Sequence, residues 1–336
     1  MPPARVVAWL LPRQIDLVRE VCRLSGLTLE GAGSPGHGQV RAAAEPLGVR
    51  AVDDLRHELS AGESDFIILF APGDFGADPG GADTTALLNA RSRNAHVVAL
   101  EPIPASVAEL ASGRWMRPRN GVMPSECLRP FALFAHGRTV MRAAEALSAF
   151  GEARTVLIEN LGPDAAGTLG ARLHDAMHCL ITLLGEPELI DASCVGPIRG
   201  PALHTVAGER LRDLAGDLTA HVRYADGRSA VLWASDQIDR LHRRVTLLGP
   251  EGRFSISDAG YRWTNRQGKV VDTWETDDAG DARILADALH DLAADPRFGL
   301  TDPQPMLASA QAALLSVRTG QAEAPATIRR IFAPSV

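Results

Sequence analysis

The chain is poor in the features that would announce a secreted, membrane or metal-clip protein. Its four cysteines, Cys22, Cys127, Cys179 and Cys194, are scattered and form no CxxC pair. No disulfide framework or zinc knuckle can be read from them, and the expectation is buried, reduced thiols in a cytoplasmic setting. Long hydrophobic runs are missing as well: Phe66 to Ala71 is among the longest, against about 20 residues needed to cross a bilayer. The opening apolar stretch, Val6 to Leu11, runs at once into Pro12, Arg13 and Asp16, which is not the shape of a secretory signal. Basic residues gather into nothing larger than the group from Arg240 to Arg244, and the formal charge is -7. A phosphate backbone asks for a concentrated positive face, so nucleic acid is not an expected partner, and neither is a membrane.

What is present suits a globular chain of two domains: 336 residues, 46% of them apolar, with both charge signs interspersed. The first hundred residues alternate short apolar strands with helical stretches. Arg5 to Leu11 predicts a strand, and Gln14 to Ser25 a helix with Ile15, Val18, Val21 and Cys22 on one face. Leu27 to Glu30, Arg50 to Val52, Asp65 to Phe70 and His96 to Leu100 predict further strands. Helices are expected over Val40 to Leu47, Asp54 to Leu59 and Thr84 to Ala90. This rhythm predicts an α/β, Rossmann-like domain with a parallel sheet over residues 1–120.

Beyond that point helices are expected at Arg138 to Phe150 and Ala171 to Leu184, and then longer strands. Leu218 to Tyr224 and Ser229 to Ser235 form a hairpin signal around Ala225-Asp226-Gly227-Arg228. Asp239 to Gly249, Phe254 to Ser257 and Tyr261 to Thr264 continue the pattern, and helices follow at Asp281 to Ala293 and Gln304 to Ser316. The expectation for residues 121–336 is an α+β domain with a large, mostly antiparallel, open-faced sheet, its last helix packing back on the first domain.

Two segments compete as a phosphate loop. A dinucleotide site needs a side-chain-free turn between the first strand and first helix, where backbone N–H groups meet the pyrophosphate. The chain has Leu10-Leu11-Pro12-Arg13-Gln14 there, with no glycine. Pro12 can start the helix, and Arg13 can meet an anion by itself. The literal GxGxxG match is Gly31-Ala32-Gly33-Ser34-Pro35-Gly36, with Asp53 lying 22 positions beyond Gly31. It comes one strand late, so the favoured expectation is that Gly31, Gly33, Gly36 and Gly38 serve as a turn and that Asp53 and Asp54 start a helix.

Several segments, in order, resemble the glucose-fructose oxidoreductase and inositol dehydrogenase family, Gfo/Idh/MocA. Leu47 to Leu55 is similar to its third-strand approach, and Ala95 to Pro102 to the segment that ends in Glu-Lys-Pro. Leu183 to Pro187, Leu247 to Gly252 and Ala312 to Gly320 resemble later family segments. The resemblance implies an NAD(P)-binding domain joined to a sheet domain that carries substrate and builds oligomers. The implied reaction is hydride transfer between nicotinamide and a sugar or cyclitol hydroxyl carbon.

Against that pattern three things are missing. The first loop lacks its glycines; in the family register Glu30, Gly31 and Gly33 fall near the cofactor ribose. Glu101 stands where the family has its lysine, and a carboxylate cannot stabilise a developing alkoxide as an ammonium can. Buried beside another acid, Glu101 could instead be a general acid or base. Counted back from Leu184-Gly185, Ala171, Asp175 and His178 take the positions of the family's Asp, His and Asp, whereas a three-residue shift puts His174 and His178 at the Asp and His positions. His174 and His178 share a helix face, with Asp175 three residues from His178. Ordinary packed histidines, substrate contacts and a divalent metal site all remain open for them.

Other candidates are Trp115, Arg117 and Arg119, the tryptophans Trp233, Trp263 and Trp274, and the group Arg240, His242, Arg243 and Arg244, expected at a solvated edge or bonded turn. The favoured expectation is a divergent protein without standard dehydrogenase activity and with no cofactor, acting as a binding or partner subunit. It would associate with itself through the C-terminal sheet, and could meet a partner protein or a carbohydrate-like ligand. One alternative is an NAD- or NADP-dependent oxidoreductase with a rearranged site. Another is a metal-assisted or cofactor-independent lyase or hydrolase using Glu101, His174, Asp175 and His178.

Overall fold

A computed structural model describes residues 4–112, 114–119, 121–131, 133–196, 210–276, 280–295 and 302–331. The chain divides into two compact units, one running to Phe131 and taking in Leu285–Pro303, the other made of Ala132–Ile284 and Gln304–Ile331. Compared with a division at residue 120, the first unit reaches Phe131 because a last strand there joins its sheet. The helix over residues 304–316, expected to pack back on the first domain, groups with the second unit.

In the N-terminal unit the elements are β1 (Arg5–Trp9), α1 (Ile15–Ser25), β2 (Thr28–Gly33), α2 (Val40–Ala44), β3 (Arg50–Ala51) and α3 (Leu55–Ala61). They continue as β4 (Phe66–Leu69), α4 (Ala82–Ser92), β5 (His96–Ala99), α5 (Val107–Ser112) and β6 (Leu128–Pro130). The sheet order is β3-β2-β1-β4-β5-β6 with every pairing parallel. Central β4 is buried along its whole length, as its run of apolar residues requires when both faces are covered. Helix α1 buries Val18, Val21 and Cys22 and stops at Gly26, whose φ of 70° suits glycine. Asp54 caps α3 by accepting the Arg56 and His57 N–H groups at 2.8 and 3.2 Å.

One expectation fails here. Gly31 and Gly33 are not in a turn: β2 extends through them, pairing Gly31 with Val7 and Gly33 with Trp9. Glycine is required at position 33 by close approach, since a Cβ there would strike the Trp9 indole and the Val52 carbonyl. Only Ser34 to Gln39 make the turn into α2.

In the C-terminal unit α6 (Arg138–Phe150) precedes β7 (Thr155–Pro163), α7 (Leu169–Leu184), β8 (Leu189–Val195), β9 (Asp217–Arg223), β10 (Ser229–Ser235) and β11 (Gln237–Gly249). Then come β12 (Gly252–Ser257), β13 (Gly260–Thr264) and β14 (Val270–Glu275), next α8 (Asp281–Ala294), which belongs to the N-terminal unit from Leu285 on, and last α9 (Pro303–Thr319) and α10 (Pro325–Ile331). The sheet order is β14-β13-β12-β11-β7-β10-β9-β8. All pairs are antiparallel except β7 with β10, which is parallel. Strands β7 and β14 and helix α10 were not foreseen. Without β7 the hairpin strand β10 had no expected inner neighbour, and its parallel pairing was missed.

Burial alternates strictly in β9 and nearly so in β10, so one sheet face is covered and the other is open. On the covered face α7 lies over β7 and β10, and α6 over β12 and β13. Phe150 locks α6 down, meeting Phe254 and Trp263 edge to face at centroid distances of 5.6 and 5.9 Å. On the open face Leu157, Val231 and Trp233 are each more than 40% exposed.

Candidate functional site

In an open parallel sheet the ligand crevice lies at the carboxyl ends of the strands where the order reverses, here between β1 and β4. A pyrophosphate would need free backbone N–H groups after β1. The chain uses three of them itself. Leu10 donates to the Gly33 carbonyl at 2.9 Å, and Gln14 N–H to the Leu11 carbonyl at 2.9 Å. Leu11 N–H is taken by the Gln14 side-chain oxygen at 2.9 Å, and Pro12 has no N–H to offer. Gln14 is buried, its amide nitrogen donating to the Phe70 carbonyl at 3.3 Å, so this closure is anchored to the end of β4. Pro12 is half-buried and Arg13 exposed.

The neighbouring edge is similarly filled. The buried Trp9 indole lies across Gly33, and Pro35 packs where a side chain on Gly73 would stand, bringing the loops after β2 and β4 together. Glu30 is exposed and sits three residues before the end of β2, roughly 10 Å from the carboxyl edge. The residues at that edge are Gly33 and Ser34, with no acid to receive ribose hydroxyls. Asp53 is exposed ahead of the α3 cap. The residues present therefore do not fit a dinucleotide in the manner of a glycine loop.

Glu101 follows β5 in the N-terminal unit and is buried. No lysine replaces the one the resemblance leads one to expect, because Lys269 is the only lysine in the sequence. It lies in the exposed turn from β13 to β14.

The other predicted residues lie on α7 in the C-terminal unit, where Thr168 caps the helix by accepting the Ala171 N–H at 3.3 Å. His174, Asp175 and His178 are all buried. Asp175 accepts the Phe134 N–H at 2.7 Å and the Asn160 amide at 2.9 Å, and Arg243 stands 3.4 Å away. Arg243 is itself buried on β11 and forms a fork with Asp258 at 3.1 and 2.7 Å. Its guanidinium lies over the Phe134 ring, 5.3 Å from the centroid. Burial opposes the Arg243 charge, but Asp258 and Asp175 outweigh it and hold its pKa above the ordinary value. Burial pushes the Asp175 carboxyl up, against the pull of Arg243 and its N–H donors. The network ties α7, β7, β11 and the turn after β12 into one frame, and it engages both oxygens of Asp175.

The imidazoles nearby are held neutral. Burial lowers His174 to about 4. Burial, with His136 and His174 as neighbours, lowers His178 to about 3. The His136 and His178 rings are 4.9 Å apart, and burial lowers His136 too. Inside this region the His178 Nδ1 and Asn160 Oδ1 atoms are buried with no hydrogen-bond partner. Each lacks the partner that a buried polar atom ordinarily has. Proton abstraction is disfavoured, since burial leaves His178 so weakly basic that a proton taken from a hydroxyl would be held by a strong acid. Among the described residues no group of three or more His, Cys, Asp and Glu is placed to hold a metal ion.

The remaining candidates divide between packed and exposed, with Trp233 on the open sheet face. Trp115 is buried and donates its indole N–H to the Gly76 carbonyl at 3.3 Å, while Arg117 and Arg119 are exposed. Trp263 donates to the Glu251 carbonyl at 3.3 Å, and Trp274 is half-buried on β14. Of the group expected at a solvated edge or bonded turn, Arg243 is instead buried within β11, while Arg240 and Arg244 are exposed and His242 is half-buried. The cysteines form no disulfide, and burial pushes the Cys22 and Cys127 thiols up to about 12 and about 11, so neither is poised as a nucleophile. Cys179 is buried and shifted in the same direction. The residues that sequence reasoning missed are Asn160, Asp258 and His136, and it did not place Arg243 beside Asp175. For Arg243 a signal existed: it shares strand parity with the buried Val245 and Leu247.

No protein-family model matches the chain, and no curated protein does. Solved structures do match over nearly its whole length. Myo-inositol 2-dehydrogenase from Lactobacillus plantarum aligns at 15% identity and a TM-score of 0.63, covering 96% of this chain and 99% of that one. An oxidoreductase from Agrobacterium radiobacter, in complex with NAD+, L-tartaric acid and magnesium, aligns at 11% identity and a TM-score of 0.64, covering 97% and 99%. UDP-N-acetylglucosamine 3-dehydrogenase from Acidithiobacillus ferrooxidans aligns at 16% and 0.61, covering 98% and 100%. With its reversing parallel sheet followed by an eight-stranded open-faced sheet, this chain has the fold of the Gfo/Idh/MocA oxidoreductases.

Proposed function

We propose that this chain is a binding or partner subunit built on an oxidoreductase fold, without standard nicotinamide-dependent hydride transfer. The observation that carries the proposal is the closed turn after β1, where Gln14 occupies the Leu11 N–H and is itself tied to β4. The absence of a stand-in lysine and the low basicity of His174 and His178 support it. The ligand that suits the α7 region is a neutral, polyhydroxylated molecule of carbohydrate type, met by uncharged imidazoles rather than by an ion. Self-association uses the open sheet face around Leu157, Val231 and Trp233. Calorimetry with NAD(H) and NADP(H) tests the reading: no saturable binding is expected, and micromolar affinity for either would overturn it.

A second reading rests on the fold and on the solved neighbour that holds NAD+. An NAD- or NADP-dependent oxidoreductase acting on a sugar or cyclitol hydroxyl would need the turn at Pro12 to open. It predicts substrate-dependent reduction of NAD(P)+ across a panel of sugars and cyclitols, and no signal from any of them removes it.

A further inference from the structure

The open face of the C-terminal sheet carries a depression of about 400 Å³ over β11 to β14. Its lining includes Arg244, Arg253, Arg262, Ser255, Ser257 and Thr264. Strand register puts these six on one side of the sheet. Arg244 pairs with Ser257, Ser255 with Arg262, and Arg253 with Thr264, while 253, 255 and 257 alternate along β12. Adjacent strands are about 4.8 Å apart, so the backbones carrying Arg244 and Arg262 are roughly 10 Å apart with β12 between them. All three guanidinium groups can therefore reach one small ligand.

The charge of this depression is poorly answered by the chain. Glu275 is the only acid in its lining, so three arginines against one glutamate leave +2, on a chain whose formal charge is -7. Glu275 sits 3.1 Å from Arg262. Arg244 is 4.0 Å from Glu159, a carboxylate that also stands 3.7 Å from His242. The Arg253 guanidinium forms no ion pair among the described residues. Guanidinium groups offer planar, paired donors, and the serine and threonine hydroxyls can add single ones. A concave wall also concentrates the field of grouped charges.

We propose that this depression is a binding site for a small phosphate-bearing ligand with at least two negative charges, contacted by Arg253, Arg262 and Arg244. The site lies within the C-terminal unit and is independent of whether nicotinamide binds elsewhere. Binding displaces Glu275 from Arg262, which makes that carboxylate an internal competitor for the site.

The test is calorimetry of the full chain with inorganic pyrophosphate at fixed ionic strength. Saturable binding with one site per chain is expected. Arg253→Ala and Arg262→Ala each weaken it about tenfold, and Glu275→Gln strengthens it about threefold. Arg223→Ala, on the same open face but outside the depression, leaves it unchanged. Because all four side chains are exposed, the variants are expected to keep the parent melting curve. Absence of saturable heat at millimolar pyrophosphate overturns the proposal. So does equal weakening by Arg223→Ala, or citrate binding more tightly than pyrophosphate. A drop in oligomer mass on Arg253→Ala, with pyrophosphate affinity unchanged, would assign the arginines to a subunit contact instead and would likewise overturn it.

Discussion

The turn after β1 and the buried middle of α7 solve the same problem in opposite ways. Each lies where the family resemblance places function, and each would bring polar groups close to a ligand. At the turn every donor with a visible partner is spent on the chain: Leu10, Leu11 and Gln14 close the loop, and Pro12 contributes none. On α7 the charged groups are spent, with Asp175 and Arg243 locked together, but two neutral polar atoms, His178 Nδ1 and Asn160 Oδ1, are left over. A loop whose Leu10, Leu11 and Gln14 N–H groups are spent offers an anion little backbone, whereas the frame on α7 keeps two neutral polar atoms unpaired.

The largest effect is expected from breaking the α7 frame. Arg243→Met leaves the buried Asp175 and the half-buried Asp258 without their cation and is predicted to cost roughly 3–5 kcal/mol in urea unfolding. Adding Asp175→Asn to that variant recovers part of the loss, which separates the charge from the packing. If Arg243→Met melts like the parent, the frame contributes nothing.

Next comes pH. His174 and His178 have folded pKa values of about 4 and about 3, below the ordinary unfolded value near 6.5. The unfolded chain therefore binds more protons in this range. Stability is full above about pH 6.5 and falls as pH drops toward the folded values, by about 2 kcal/mol per histidine by pH 5. The double variant His174→Gln, His178→Gln should flatten that slope, and an unchanged slope would show that these imidazoles are not the titrating groups.

On the other side of the comparison, Gly33→Ala forces a methyl group against Trp9 and the Val52 carbonyl and is expected to cost about 1–3 kcal/mol. The accompanying signal is altered tryptophan fluorescence. The smallest effect belongs to Gln14→Ala, which releases Leu11 N–H and should lower stability by about 1 kcal/mol. It also sharpens the comparison: any nicotinamide affinity gained by this variant would show that Gln14 itself blocks the loop.

The sequence made the architecture legible wherever local pattern and tertiary role agree. The apolar run of β4, the amphipathic face of α1 and the glycine turn of the β9–β10 hairpin are of that kind. Strand β7 went unseen because Glu159, Asn160, Gly162 and Pro163 dilute its alternation, although Val156 and Ile158 are buried at period two. Gly31 and Gly33 have a composition that favours turns, and only pairing with β1 and the bulk of Trp9 make them strand residues. At the candidate site, sequence picked out His174, Asp175 and His178 on α7 but could not see which groups neutralise Asp175. Its partners arrive from residues 134, 160 and 243, and such separations leave no local trace.

The most direct test of the closed turn is a crystal structure after soaking in millimolar NADH. The account predicts no dinucleotide at the carboxyl ends of β1 and β4, with the Gln14 side chain still accepting the Leu11 N–H. A pyrophosphate seated on residues 10–14, with Gln14 swung away, would contradict it.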